Sequence, residues 1–112
     1  MSNQIRDLAS EGVLDEAFEA DVAILYKHSP FCPTSRRAME EVRYFSEHNP
    51  EVPVYMVNVV RDRALSRQLA ENLGILHESP QAILLRVGNP QAHVSHHSVK
   101  SVVLQKWLSE TE

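Results

Sequence analysis

The 112 residues, 43% hydrophobic and 23% charged, supply one core-bearing domain spanning residues 1–112 and too little chain for two. Fifteen acidic against 11 basic side chains give a net charge of −4, and no basic run exceeds Arg36-Arg37, which argues against a nucleic-acid partner. Apolar runs such as VAILY are too short to span a bilayer, and MSNQIRDLAS lacks a basic segment followed by an apolar one, so a cytoplasmic protein with no membrane partner is expected.

Ile5 to Leu8 reads as a short edge strand. From Ser10 the pattern turns helical, with Val13, Leu14, Ala17 and Phe18 at one-face spacing. Asp21 opens VAILYK, a continuous apolar run of the kind that suits a central strand covered on both faces. SPFCP punctuates the chain. Ala38, Met39, Val42 and Phe45 then mark an amphipathic helix from Pro33 to His48, stopped by Asn49-Pro50. Pro53 to Val59 is a second buried strand, rich in β-branched residues. Asp62 takes the place of a helix cap, Leu65, Leu69 and Leu73 follow at four-residue steps, and Gly74 stands where a helix-ending residue belongs. Gln81 to Val87 reads as a strand, Gly88-Asn89-Pro90 as a turn, and Gln91 to His97 as an alternating strand, hence an antiparallel hairpin. Val99, Val103, Leu104, Trp107 and Leu108 form a closing helix. The order is β-α-β-α-β-α-β-β-α: an α/β protein with a mixed sheet and helices on both faces, the order of the thioredoxin fold.

Cys32 is the lone cysteine, which excludes an internal disulfide and a zinc site built from several thiolates. A free cysteine is often an inert, buried small hydrophobe. Position argues otherwise here. Cys32 falls at the N-cap of the helix that Pro33 opens, beside unpaired N–H groups and the positive end of the helix dipole. Those conditions stabilise a thiolate, and Lys27, His28, Arg36 and Arg37 are expected to add positive potential.

Several ordered segments accompany the thiol: Lys27-His28-Ser29, Cys32-Pro33-Thr34-Ser35, Asn58-Val59, His77-Glu78-Ser79-Pro80-Gln81 and His93-Val94-Ser95-His96. The cysteine-x-x-serine spacing alone is common; the whole set, in this order and spacing, resembles the monothiol bacilliredoxins, or YtxJ-like proteins, of the thioredoxin superfamily. The resemblance implies a thiol-disulfide oxidoreductase of the bacillithiol system. It would remove bacillithiol from S-bacillithiolated proteins through Cys32, with bacillithiol or another low-molecular-weight thiol as co-substrate and no bound cofactor. Ser35 stands where a second cysteine would resolve the mixed disulfide, so a thiol from solution must finish the cycle. The resemblance also implies that Lys27, His28, Pro33, Thr34 and Ser35 shape the active-site loop. It further implies that Ser79-Pro80 is a cis-proline loop facing the thiol and pairing with substrate, and that His96 lines the cleft. By composition alone Pro80 is an ordinary strand start.

A metal site is not expected, because a strand would put His93 and His97 on one face and His96 on the other. Tyr26 reads equally as core or cleft wall, and His28 as a source of potential or a solvated side chain. Three rivals stand beside the main reading. An arsenate-reductase-like enzyme shares a Cys-x-x-Ser-Arg loop, but carries it almost at its N-terminus. A cluster-binding monothiol glutaredoxin would have C-G-F-S. A non-catalytic stress or adaptor protein would keep the fold and lack turnover.

Overall fold

In the computed structural model, which describes residues 5–110, the apolar run after Asp21 forms β2 (Ala23–His28), the middle strand of a five-stranded sheet. Its parallel neighbour is β3 (Val54–Asn58), which pairs on its far side with the two-residue β1 (Arg6–Asp7). On the opposite flank β4 (Gln81–Arg86) runs antiparallel to β2, and β5 (Asn89–Ser95) antiparallel to β4. The order is β1-β3-β2-β4-β5.

Alternation along the central strands supplies two cores. Ile24 and Tyr26 of β2 and Ala82 and Leu84 of β4 face α2 (Pro33–His48) and α4 (Ser101–Glu110), where Ala38, Val42, Phe45, Leu104 and Trp107 complete one cluster. Ala23, Leu25, Ile83 and Leu85 face the other way, against Val13 and Ala17 of α1 (Val13–Glu19) and Leu69 of α3 (Arg63–Leu73). A strand buried on both faces needs no polar alternation, which is why VAILY reads as an unbroken apolar run. The mixed α/β architecture expected from the element order is the one observed.

Three local readings are corrected. The hairpin turns on Val87 and Gly88, both at positive φ (48° and 78°), while Asn89 pairs with Arg86 and Pro90 with Leu85. A two-residue turn with both residues left-handed matches the twist of the strands it joins. Pro90 is tolerated because β5 is an edge strand and the register slips between Leu84 and Leu85. The last strand ends at Ser95, and His96–Ser98 form a 3-10 turn. His96 has φ 58°, a left-handed residue that hydrophobic periodicity does not reveal, so the three histidines do not alternate across a strand. Asp62 does occupy the N-cap of α3, but its carboxylate pairs with Arg61 and makes no capping hydrogen bond. Gly74 ends that helix at φ 68°, as expected. No helix among the described residues is long and apolar enough to cross a membrane.

Candidate active site

The end of β2 and the start of β4 meet at the Lys27–Gln81 pair, which brings the loop leading to Cys32 beside the loop that ends at Pro80. Ser79–Pro80 is cis, the isomer that the resemblance implied. Cys32 sits at the N-cap of α2 with extended backbone (φ −107°, ψ 122°), and Pro33 fills the first helical position. Its N–H donates to the Ser29 carbonyl (3.2 Å), and its carbonyl accepts the first helical bond from Arg36 (3.1 Å). The side chain is partly exposed.

The thiol is held below its ordinary pKa chiefly by the Ser35 amide; burial opposes it next in size, and the Thr34 amide and the two hydroxyls add to the lowering. No capping hydrogen bond forms at the neutral sulfur, a poor acceptor; the amides act on the thiolate. The basic side chains expected to assist are not among the groups that lower the thiol pKa. Lys27 is 1% exposed and points to the opposite face of the sheet, while Arg36 and Arg37 lie outside the group of residues that act on the sulfur. Backbone dipoles at a helix N-terminus do the work the sequence suggested sharing with cations.

Ser35 is fully buried. Its Oγ accepts the Ser29 N–H (3.3 Å), tying the two ends of the loop, and its hydroxyl hydrogen remains free to donate to the sulfur. Beneath it, Tyr26 is 0% exposed and its hydroxyl donates to the Ser35 carbonyl (2.9 Å). With that proton committed, the contact between Tyr26 Oη and His28 Nδ1 (3.0 Å) requires the imidazole to donate from Nδ1. Burial, then the nearby Arg43, lowers the His28 pKa, in keeping with a neutral ring. Burial and the neighbouring Cys32 raise that of Tyr26. Tyr26 is therefore both core and support of the loop, the role that periodicity left open.

Lys27 serves the other loop. Its Nζ donates to the Ser66 carbonyl (3.4 Å) and to His77 Nδ1 (3.1 Å), and Ser66 Oγ lies 3.2 Å from the same nitrogen. Burial lowers the Lys27 pKa; burial and then Lys27 itself lower that of His77. Gln81, also fully buried, donates from Nε2 to the Leu76 carbonyl (3.1 Å) and to Ser95 Oγ (3.3 Å), closing the segment that carries Ser79 and Pro80. His96 donates its backbone N–H to the Pro80 carbonyl (2.8 Å), and its Nε2 lies 3.7 Å from Glu78. The roles of His77 and Gln81 lay inside a recognised motif, yet nothing in their spacing pointed to these ties. Among the described residues no three His, Cys, Asp or Glu side chains converge as a metal site would require.

The arrangement is one activated thiol, no second cysteine, and an adjacent loop whose backbone is fixed from below. Residues 3–104 match the family model for monothiol bacilliredoxin BrxC. The fold superposes on a protein described as an oxidoreductase with a thioredoxin fold at TM-score 0.84 and 25% identity, over 91% of each chain. Thioredoxin from Trypanosoma brucei brucei superposes at TM-score 0.78 and 14% identity, over 98% of this chain and 92% of its own. A mutant thioredoxin from Halobacterium salinarum does so at 0.77 and 17%, over 96% and 89%.

Proposed function

The chain belongs to the monothiol bacilliredoxin family of thioredoxin-fold thiol redox proteins, and from that premise we propose that it removes bacillithiol from protein mixed disulfides. The observation that carries the reading is a partly exposed thiol of lowered pKa with a buried serine, not a cysteine, one helical turn on. The Cys32 thiolate attacks the bacillithiol sulfur of the modified target. The target's S–S bond breaks, its cysteine leaves as a thiolate and takes up a proton, and Cys32 retains bacillithiol as a new disulfide. Ser35 has no sulfur with which to displace it. A second thiol from solution attacks that adduct, leaves as a small-molecule disulfide, and returns the Cys32 thiolate. Ser79, at the cis-proline, is the residue whose backbone would pair with the incoming target. The reaction is expected in the cytoplasm, where low-molecular-weight thiols are abundant and reduced.

Incubating a bacillithiolated target with the parent protein and with Cys32→Ala tests the step. The parent should release the target and gain the mass of one bacillithiol at Cys32. Release by Cys32→Ala, or no adduct on the parent, overturns the reading. Supplying excess small thiol then separates an enzyme from an adaptor, since only an enzyme restores many targets per molecule.

A further inference from the structure

Bordering the cysteine loop at Thr34 lies a cavity of about 240 Å³ that the exchange step does not use, lined in part by Thr34, Arg37, Glu41, His96, His97 and Lys100. It joins the two active-site loops. Thr34, whose amide and hydroxyl help to lower the Cys32 pKa, belongs to the cysteine loop, and His96 is bonded through its backbone to the Pro80 carbonyl. Its wall holds two cations, Arg37 and Lys100, neither with an ion-pair partner among the described residues; His97 and His96, whose Nε2 lies 3.7 Å from Glu78, stand beside them. The one carboxylate, Glu41, is engaged elsewhere, accepting the Ser101 N–H (2.7 Å) at the start of α4. His96 reaches this wall through a left-handed backbone (φ 58°), a conformation uncommon outside glycine that neighbouring bonds must hold.

We propose that this cavity binds a carboxylate of the small-thiol half of the mixed disulfide, so that the protein selects its substrate by the modifying thiol as well as by the protein that bears it. The proposal rests on the reading of Cys32 as the attacking group. Size fits a tail better than a whole ligand, since drug-sized ligands need roughly 300–1,000 Å³. Arg37 and Lys100, both exposed, would close on the carboxylate with charge-assisted bonds. A disulfide held at Cys32 by its sulfur and in the cavity by its carboxylate would present the small-thiol sulfur, not the target's, to attack.

Two measurements test it. Arg37→Gln and Lys100→Gln are compared with the parent on one target protein carrying either bacillithiol, whose small half bears carboxylates, or cysteamine, which has none. Each variant should lower kcat/KM for the bacillithiol disulfide by roughly tenfold, the worth of one charged hydrogen bond, and leave the cysteamine disulfide unchanged. Equal slowing of both assigns the cations to the target protein and overturns the proposal, as does no slowing of either. Separately, malate titrated into the parent should shift the NMR signals of residues 34, 37 and 96–100, and the double variant should lose those shifts. If the parent attacks neither disulfide while malate still binds there, the exchange reading fails and the anion site stands; absence of malate shifts overturns the site.

Discussion

Replacing Lys27 separates the worth of its hydrocarbon stem from that of its charge. The side chain is 1% exposed, and among the described residues its ammonium has only neutral partners, the Ser66 carbonyl and His77 Nδ1. Lys27→Ala deletes three buried methylenes at about 0.8 kcal/mol each and leaves a void, so a loss of about 3 kcal/mol is expected. Lys27→Met keeps most of the volume. It forfeits hydrogen bonds from a charged donor, about 1.5–3 kcal/mol, but is relieved of a desolvation penalty of several kcal/mol, so its net change should lie within about 1 kcal/mol. The charge also leaves a pH signature. Burial lowers the folded-state pKa of Lys27, so between that value and the unfolded value near 10.4 the unfolded chain binds more protons. Stability of the parent relative to Lys27→Met should therefore rise with pH across that window, by about 1.4 kcal/mol per unit of depression. Cys32, whose folded pKa is also lowered, acts in the same direction but is common to both proteins and cancels. Urea unfolding of the three proteins at pH 8 and pH 10.5 provides the measurement. A Met variant as unstable as the Ala variant, or a parent-minus-Met difference that stays flat or falls with pH, would refute the reasoning.

Alkylation of Cys32 against pH should give a midpoint below about 8.5 in the parent, unchanged in Lys27→Met and raised in Ser35→Ala, since the serine hydroxyl supports the thiolate and the lysine does not. Ser35→Cys should form an internal disulfide under mild oxidant, the two positions being one helical turn apart; two free thiols persisting after oxidation would contradict that geometry. Val87→Asn should raise the urea midpoint by about 1 kcal/mol equivalent, because a β-branched residue at φ 48° occupies a place that asparagine takes readily. Gly88→Ala should lower it, as the added Cβ would stand 2.9 Å from the Phe18 carbonyl.

The sheet and its helices were legible because each rests on a periodic pattern. β2 and β4 read as apolar runs and were found as such, and the Pro33–His48 helix was found with both its ends. What escaped notice depends on single backbone angles or on contacts between distant residues. Val87 and His96 at positive φ moved the hairpin turn and ended the last strand early; a β-branched valine argues against such a conformation, and histidine, though enriched in it, does not mark which of six positions adopts it. The position of Cys32 at a helix start followed from Pro33, so the thiolate was foreseeable. Its supports were not: proximity in sequence suggested Lys27 and the arginines, whereas strand alternation sends Lys27 to the opposite face. The meeting of Lys27 with His77, fifty residues away, exists only once β2 and β4 are paired.

That alternation also sets where the gene tolerates added codons. Tyr26 and Lys27 are consecutive, yet the phenol braces the cysteine loop from one side of the sheet and the ammonium braces the proline loop from the other. An inserted residue earlier in β2 would exchange their faces, setting a cation beneath the thiol loop and a phenol beneath His77, and so unseat both halves of the site at once. A library of single-residue insertions should therefore be depleted throughout residues 23–28.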